Sequence, residues 1–168
     1  MPRLLVVHHS PTASVTALTD AVLAGAADPE LAGVEVVARP ALEASADDVL
    51  AADGVLLGTS ANFGYMSGAL KHFFDSTFLD IGGSLSPDGS GAGSGAGSGA
   101  GSGAGRTPYG LYVHGRYDTE GAVRSVQSIV GALPWAQAAP VLAVLGDVDD
   151  AARAAAYELG ATLAALLT

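Results

Sequence analysis

The sequence predicts an α/β protein, a three-layer, doubly wound, five-stranded parallel sheet with helices on both faces. Three observations predict it. Five short apolar runs punctuate the chain: "RLLVVH" (3–8), "VEVVA" (34–38), "GVLLGT" (54–59), "YGLYVH" (109–114) and "PVLAVLG" (140–146). They are near-continuously apolar, as strands buried on both faces must be. Apolar residues at helical spacing fill the stretches between them, which is the βα alternation of a parallel sheet.

Each element can be justified in order. After the first strand, Val15, Leu18 and Val22 repeat at helical spacing. A short helix over Asp47 to Ala52 follows the second strand. Beyond the third strand, Leu70, Phe73, Phe74 and Thr77 form a helical stripe that starts near Ser67, a good N-cap residue. After the fourth strand, Asp118 or Thr119 caps a helix with Val123, Val126, Ile129, Val130 and Leu133 on one face, and Pro134 stops it. The last helix follows Asp149, with Ala152, Ala156, Leu159, Leu163 and Leu166 facing inward. Asp47-Asp48 and Asp149-Asp150 sit at helix starts, where the dipole favours negative charge. Trp135, before the fifth strand, is expected in the core. Five strands of this kind suggest the order 2-1-3-4-5 in one domain over 1–168.

One segment stands apart. Residues 89–105 are four GSGA units and a final glycine. Such a tract cannot bury enough side chain to offset its ordering entropy. A flexible Gly/Ser/Ala loop is therefore expected at 86–106, with a span of roughly 22 Å.

Composition narrows the function. Seven Lys and Arg against 17 Asp and Glu give a net charge of −10. Nucleic acid needs clustered cations, so that class is disfavoured. An acidic surface suits a basic protein partner, although solubility alone accounts for the same balance and is the preferred reading. The chain lacks cysteine, which excludes disulfides and thiolate chemistry and fits a reducing cytoplasm. The start "MPRLLVVHHSPT" is too short in apolar residues for a signal peptide, and no apolar run has the length of a membrane span.

In an open parallel sheet, ligands bind beyond the carboxyl ends of the strands, at the switch point of the strand order. That rule selects the loops 9–15, 60–67 and 115–120. The first, "HSPTASVT", alternates Ser10, Thr12, Ser14 and Thr16 with small residues ahead of a helix. Hydroxyls and free helix amides suit a single phosphate monoester, although plain helix capping uses the same residues. No P-loop and no G-x-G-x-x-G is present, so nucleoside triphosphates and dinucleotides are disfavoured. A phospho-receiver needs acids after strand 1 and an Asp at the end of strand 3, and neither is there. His8, His9 and His114 invite a metal, but the ends of strands 1 and 4 should lie roughly 10 Å apart. No metal site is expected, and His9 or His114 beside an organic ligand is the better reading. No catalytic carboxylate or serine elbow is indicated.

The second loop carries a resemblance. "GTSANFGYMSGALKHFFD" (58–75) resembles the flavin loop of the flavodoxin-like NAD(P)H:quinone oxidoreductases and NADPH-dependent FMN reductases. Its Gly58, Thr59, Phe63, Gly64, Met66, Ser67, Lys71, Phe74 and Asp75 match the pattern G-T-P-x-x-[FY]-[GS]-x-[MP]-[SP] and the K-x-F-x-D helix that follows. Ser60 replaces the usual Pro. "HSPTAS" and "YVHGRYDTEGA" extend the likeness.

The resemblance implies a flavodoxin-like fold with FMN as cofactor and NAD(P)H as electron donor. Ser10, Thr12, Ala13, Ser14 and Val15 would hold the phosphate. Ala61, Asn62, Phe63 and Gly64 would meet the ring and ribityl chain. His114, Gly115, Arg116 and Tyr117 would border the ring, with Arg116 as a cation near its pyrimidine edge and Tyr117 as a cap. The expected activity is electron transfer from NAD(P)H through FMN to a quinone or similar small acceptor. The alternatives are a non-enzymatic electron carrier serving a redox protein, or a flavin-free interaction domain. A homo-oligomer is compatible with each.

Overall fold

The computed structural model describes residues 1–88 and 105–168, so the Gly-rich loop expected at 86–106 lies, except for its ends, outside the described residues. The elements are β1 (Arg3–His8), α1 (Ala13–Ala26), a 3-10 turn (Pro29–Leu31), β2 (Glu35–Pro40), α2 (Ala46–Leu50), β3 (Gly54–Asn62), β4 (Tyr65–Met66), α3 (Gly68–Thr77), β5 (Thr107–Gly115), α4 (Glu120–Val130), β6 (Trp135–Gln137), β7 (Leu142–Leu145) and α5 (Asp150–Ala165). The main path of the sheet is β2-β1-β3-β5-β6, with β7 also on β5 and β4 on β3. All pairings except β3–β4 are parallel. With β7 as the fifth strand, on the same side of β5 as β6, this is the expected order.

Strand pleating divides the apolar residues between two cores. Leu4, Val6, Leu56 and Tyr112 face α1 and α5, where Leu18, Val22, Leu159 and Leu163 complete one cluster. Leu5, Val7, Val55, Leu57, Leu111 and Val113 face the other way, onto Leu70, Phe73 and Phe74 of α3 and Val126 and Val130 of α4. Trp135 is buried in that second cluster, as expected.

Helices α1 and α5 approach closely. A Cβ on Gly160 would fall 2.0 Å from the Val22 carbonyl oxygen, and one on Gly25 would fall 1.9 Å from that of Tyr157. Glycine at both crossings lets the two backbones touch. Tyr157 then hydrogen-bonds Asp28 beyond the end of α1, which ties the pair together.

The structure departs from the sequence reading in four places. The fifth strand, expected at 140–146, is β7 at Leu142–Leu145, and a short additional strand, β6 at Trp135–Gln137, precedes it on the same side of β5. Tyr109 pairs with Gln137 and Tyr112 with Leu142, so two residues of β5 face the four residues 138–141. Pro140, between the two strands, has no amide to donate. Helix α4 ends at Val130, short of Pro134, with Gly131 at its C-cap. Its N-cap Thr119 makes no side-chain bond, and Asp118 Oδ1 instead accepts from the Glu120 amide at 2.9 Å. Leu166, expected to face inward, is the C-cap of α5 and is exposed.

The fourth departure concerns the segment after Thr59. It is a hairpin and not an open loop. β3 continues to Asn62, turns through Phe63-Gly64 and returns antiparallel, pairing Asn62 with Tyr65 and Ala61 with Met66. Phe63 has φ 50° and Gly64 φ 73°, the signature of a type I′ turn. Asn-Gly is the usual choice there, and a bulky residue at positive φ is strained by about 1–3 kcal/mol. Phe63 is also fully exposed, so burial offsets none of that strain.

Two outcomes are expected. Gly160→Ala should lower stability by about 1–3 kcal/mol, read from urea midpoints, because its Cβ meets backbone that cannot yield. Phe63→Asn should raise the stability of the unliganded protein by about 1 kcal/mol. An unchanged midpoint would mean that the turn holds no strain.

Candidate functional site

The three loops selected by the strand-end rule meet in one cleft of about 440 Å³. The register explains why. His8 lies beside Gly58 and Gly58 beside Tyr112, so β1, β3 and β5 end at one rim. Thr12 and Ser14 line the cleft from the first connection, Ser60 to Gly64 from the hairpin, and His114 to Asp118 from the end of β5.

Ten of the thirteen site residues expected from the sequence therefore come together: Thr12, Ser14, Ala61, Asn62, Phe63, Gly64, His114, Gly115, Arg116 and Tyr117. Ser10, Ala13 and Val15 are not among the lining residues. The Ser10 hydroxyl is turned into the protein, 2.9 Å from His8 Nδ1 and 2.9 Å from Thr19 Oγ1. Val15 is a core residue of α1, and its amide donates to Thr12 Oγ1 at 3.3 Å. Ala13 opens α1 with its side chain exposed.

Ser60 and Asp118 line the cleft and were missed as site residues. Ser60 is 7% exposed, and its Oγ has no hydrogen-bond partner among the described residues. A buried hydroxyl without a partner is costly, by about 1–3 kcal/mol. The oxygen is closed to the cleft in this rotamer, so a ligand atom would satisfy it once the side chain turns outward. The signal was present in the sequence as the Ser that stands where the resembling pattern has Pro.

The hairpin is held as a rigid wall. Thr59 Oγ1 donates to the Ser60 carbonyl at 2.8 Å and accepts from the Ser67 amide at 3.0 Å. Ser67 Oγ in turn caps α3 by accepting from Leu70 N at 3.2 Å. The Met66 amide donates to Ser125 Oγ on α4 at 3.2 Å. The Gly64 carbonyl packs so closely on α4 that a Cβ on Gly121 would fall 2.1 Å from its oxygen. The turn that presents Phe63 is thus braced from two sides.

The opposite wall is more polar. His114 is buried, and its Nε2 lies 2.7 Å from the Gly146 carbonyl oxygen. A carbonyl only accepts, so Nε2 carries hydrogen and a neutral ring leaves Nδ1 as an acceptor. Arg116 does not stand as a free cation, since its Nη1 contacts Asp147 Oδ1 at 3.2 Å in an exposed pair. Tyr117 is almost fully exposed and, like Phe63 on the hairpin, lines the cleft with an uncovered ring. His9 is outside the lining, and its amide donates to the Gly58 carbonyl at 3.0 Å. His8 is half-buried. Burial chiefly, then the neighbouring His9, pulls its pKa below the usual value, while Asp20 opposes the shift.

The site offers hydroxyls, a helix start, two bare aromatic rings and few charges. It has no carboxylate pair and no base–nucleophile couple. Such a donor set can hold a flat, phosphate-bearing molecule. Among the described residues, no group of His, Asp and Glu is arranged for a metal, and no helix is long and apolar enough to cross a membrane.

No protein-family model matches the chain. It is similar to a flavodoxin from Aquifex aeolicus (strain VF5), with 34% identity over 85 residues. That stretch is 51% of this chain and spans under half of the relative, 45% of its length. Among solved structures, a flavodoxin from the domain Archaea superposes with a TM-score of 0.73 at 16% identity, covering 98% of both chains. The two-electron reduced flavodoxin of Megasphaera elsdenii gives 0.68 at 18% identity, over 96% of this chain and 98% of the other. Identities this low speak to architecture alone, and together with the strand order they establish that the chain has the flavodoxin-like fold.

Proposed function

We propose that the cleft binds FMN and that the protein is a flavodoxin-type electron carrier. The observation that carries the reading is the partnerless Ser60 hydroxyl in a cleft it shares with Thr12 and Ser14. Hydroxyl-bearing residues from two connections then line one space beside the start of α1, which is the chemistry a phosphate monoester requires. The cleft volume is within the range of small-molecule sites.

In this reading Thr12, Ser14 and Ser60 hold the phosphate, with the free amides of α1 behind it. The hairpin keeps Phe63 fixed as one wall, and Tyr117 flanks the other side. His114 Nδ1 offers an acceptor to a ring N–H, and the Gly146 carbonyl keeps that tautomer in place. FMN supplies reversible one- and two-electron redox chemistry when bound, and the protein supplies orientation and electrostatics.

The carrier reading is favoured over the NAD(P)H-dependent oxidoreductase by the relatives, which are flavodoxins, one of them studied in a two-electron reduced state. The net charge of −10 also suits docking to a basic redox protein. The oxidoreductase with a quinone-like acceptor is retained as a second reading, because the 58–75 pattern resembles that class.

Anaerobic titration of the FMN-loaded protein separates them. A carrier takes up two distinct single electrons from a chemical reductant and reacts slowly with NADPH. A reductase bleaches rapidly with NADPH in one two-electron step. Ser60→Ala should weaken FMN binding about tenfold or more and leave riboflavin binding unchanged, because only the phosphate contact is lost. The stability of the unliganded variant should not fall, since the removed hydroxyl bonds nothing. A wild-type protein that binds neither flavin would end the proposal.

A further inference from the structure

Behind the first connection runs a line of side-chain hydrogen bonds from the core to the rim. Tyr112 Oη lies 2.8 Å from Thr19 Oγ1, Thr19 Oγ1 lies 2.9 Å from Ser10 Oγ, and Ser10 Oγ lies 2.9 Å from His8 Nδ1. Gly58 makes room for it, since a Cβ there would fall 2.1 Å from the Tyr112 ring. Tyr112 has no solvent exposure and Thr19 almost none.

Burial decides the direction of these bonds. The Tyr112 hydroxyl has one proton and one partner, so it donates to Thr19. Burial holds the phenol well above its ordinary pKa, which keeps that proton in place. Thr19 then has its single proton for Ser10, and Ser10 has its own for His8. The neutral His8 ring accepts at Nδ1 and carries hydrogen on Nε2. In this state the Ser10 proton is committed inward.

Protonation of His8 reverses only the last bond. Nδ1–H now donates to Ser10 Oγ, which still accepts from Thr19, and the Ser10 proton loses its acceptor. It becomes available two residues before Thr12, in a connection that contains no Lys or Arg. A phosphate oxygen would supply the missing acceptor, and the imidazolium would supply the missing cation. Ser60, whose hydroxyl has no partner among the described residues, lines the same cleft.

We infer that His8 is a positioning residue of the anion site, so that a phosphate monoester and a proton on His8 are bound together, with Ser10 as the intermediary. This rests on the FMN reading of the cleft. The groups facing His8 are few. His9 follows it in the chain, Asp20 acts on it from α1, and Thr19 of α1 is linked to it only through Ser10. In register it is flanked by Pro40 of β2 and Gly58 of β3, neither of which titrates, and Tyr112 of β5 lies at the far end of the line. The sign follows from linkage. The free-state pKa of His8 lies below its usual value and the ligand raises it. Affinity therefore climbs as pH falls through the window between the liganded and free values, and is flat above it.

The experiment measures FMN and riboflavin dissociation constants between pH 5.5 and 8 for the wild type, His8→Asn and Ser10→Ala. His8 is followed in parallel by imidazole NMR in the wild type. Asn keeps an acceptor toward Ser10 but cannot titrate. The second ionisation of the phosphate itself is common to all three proteins and cancels in their ratios. The expected result is a preference for FMN over riboflavin that grows toward low pH in the wild type relative to both variants. The growth is about tenfold for each unit by which FMN raises the His8 pKa. A His8 titration that FMN leaves unmoved would overturn the inference even if the variants fail to fold. So would equal pH profiles in the wild type and His8→Asn, with the FMN reading intact. A wild-type profile retained in Ser10→Ala would remove Ser10 from the linkage and overturn it as stated. A wild type that binds neither flavin at any pH would overturn both.

Discussion

The parallel pairing of β1, β3 and β5 places His8 beside Gly58, Gly58 beside Tyr112, and Ser60 beside His114. Everything at the rim depends on that register. Side chains on a strand alternate between faces, so a slip of one residue would send Tyr112 and Ser60 to the wrong sides of the sheet. The apolar residues forbid the slip, because Leu4, Val6 and Leu56 face one helical layer and Leu5, Val7 and Leu57 the other. The stability of the two cores is thus also what aligns the three connections of the cleft.

Local disorder of the rim is prevented by small devices. Two glycines, Gly64 and Gly121, let the hairpin tip lie against the first turn of α4. Thr59 and Ser67 use their hydroxyls to close the base of the hairpin. The strain held at Phe63 persists because these contacts over-determine the turn. An exposed aromatic at positive φ has no structural merit of its own, which argues for a role at the ligand.

Polar groups in the buried part of the site are nearly all accounted for. Tyr112, Thr19 and Ser10 satisfy one another and His8, and His114 uses the Gly146 carbonyl. Ser60 is the exception, and it lies in the cleft. Among the described residues its Oγ is the one buried side-chain polar atom without a partner, and the proposed ligand would supply one. The acidic balance of the chain disfavours a free anion, so in the proposed reading a phosphate would be recognised by aligned dipoles and a latent cation and not by bulk charge.

Periodicity located the strands and helices, and the general rule for doubly wound parallel sheets then gave the strand order, the two helical layers and the rim that carries the cleft. Buried strands and amphipathic helices are local patterns, and each of Val15, Leu18, Val22, Phe73, Phe74 and Val126 is buried where its spacing placed it. The hairpin at Phe63-Gly64, the additional strand β6 and the inward turn of Ser10 were decided by the tertiary structure. The turn needs α4 to brace it, β6 needs β5 to pair with, and the Ser10 hydroxyl answers to a histidine two residues away and a threonine one face of α1 further on. A hydroxyl's direction is settled by whichever partners surround it in space. Residue type and spacing show that Ser10 can donate, but only its packed neighbours decide to whom.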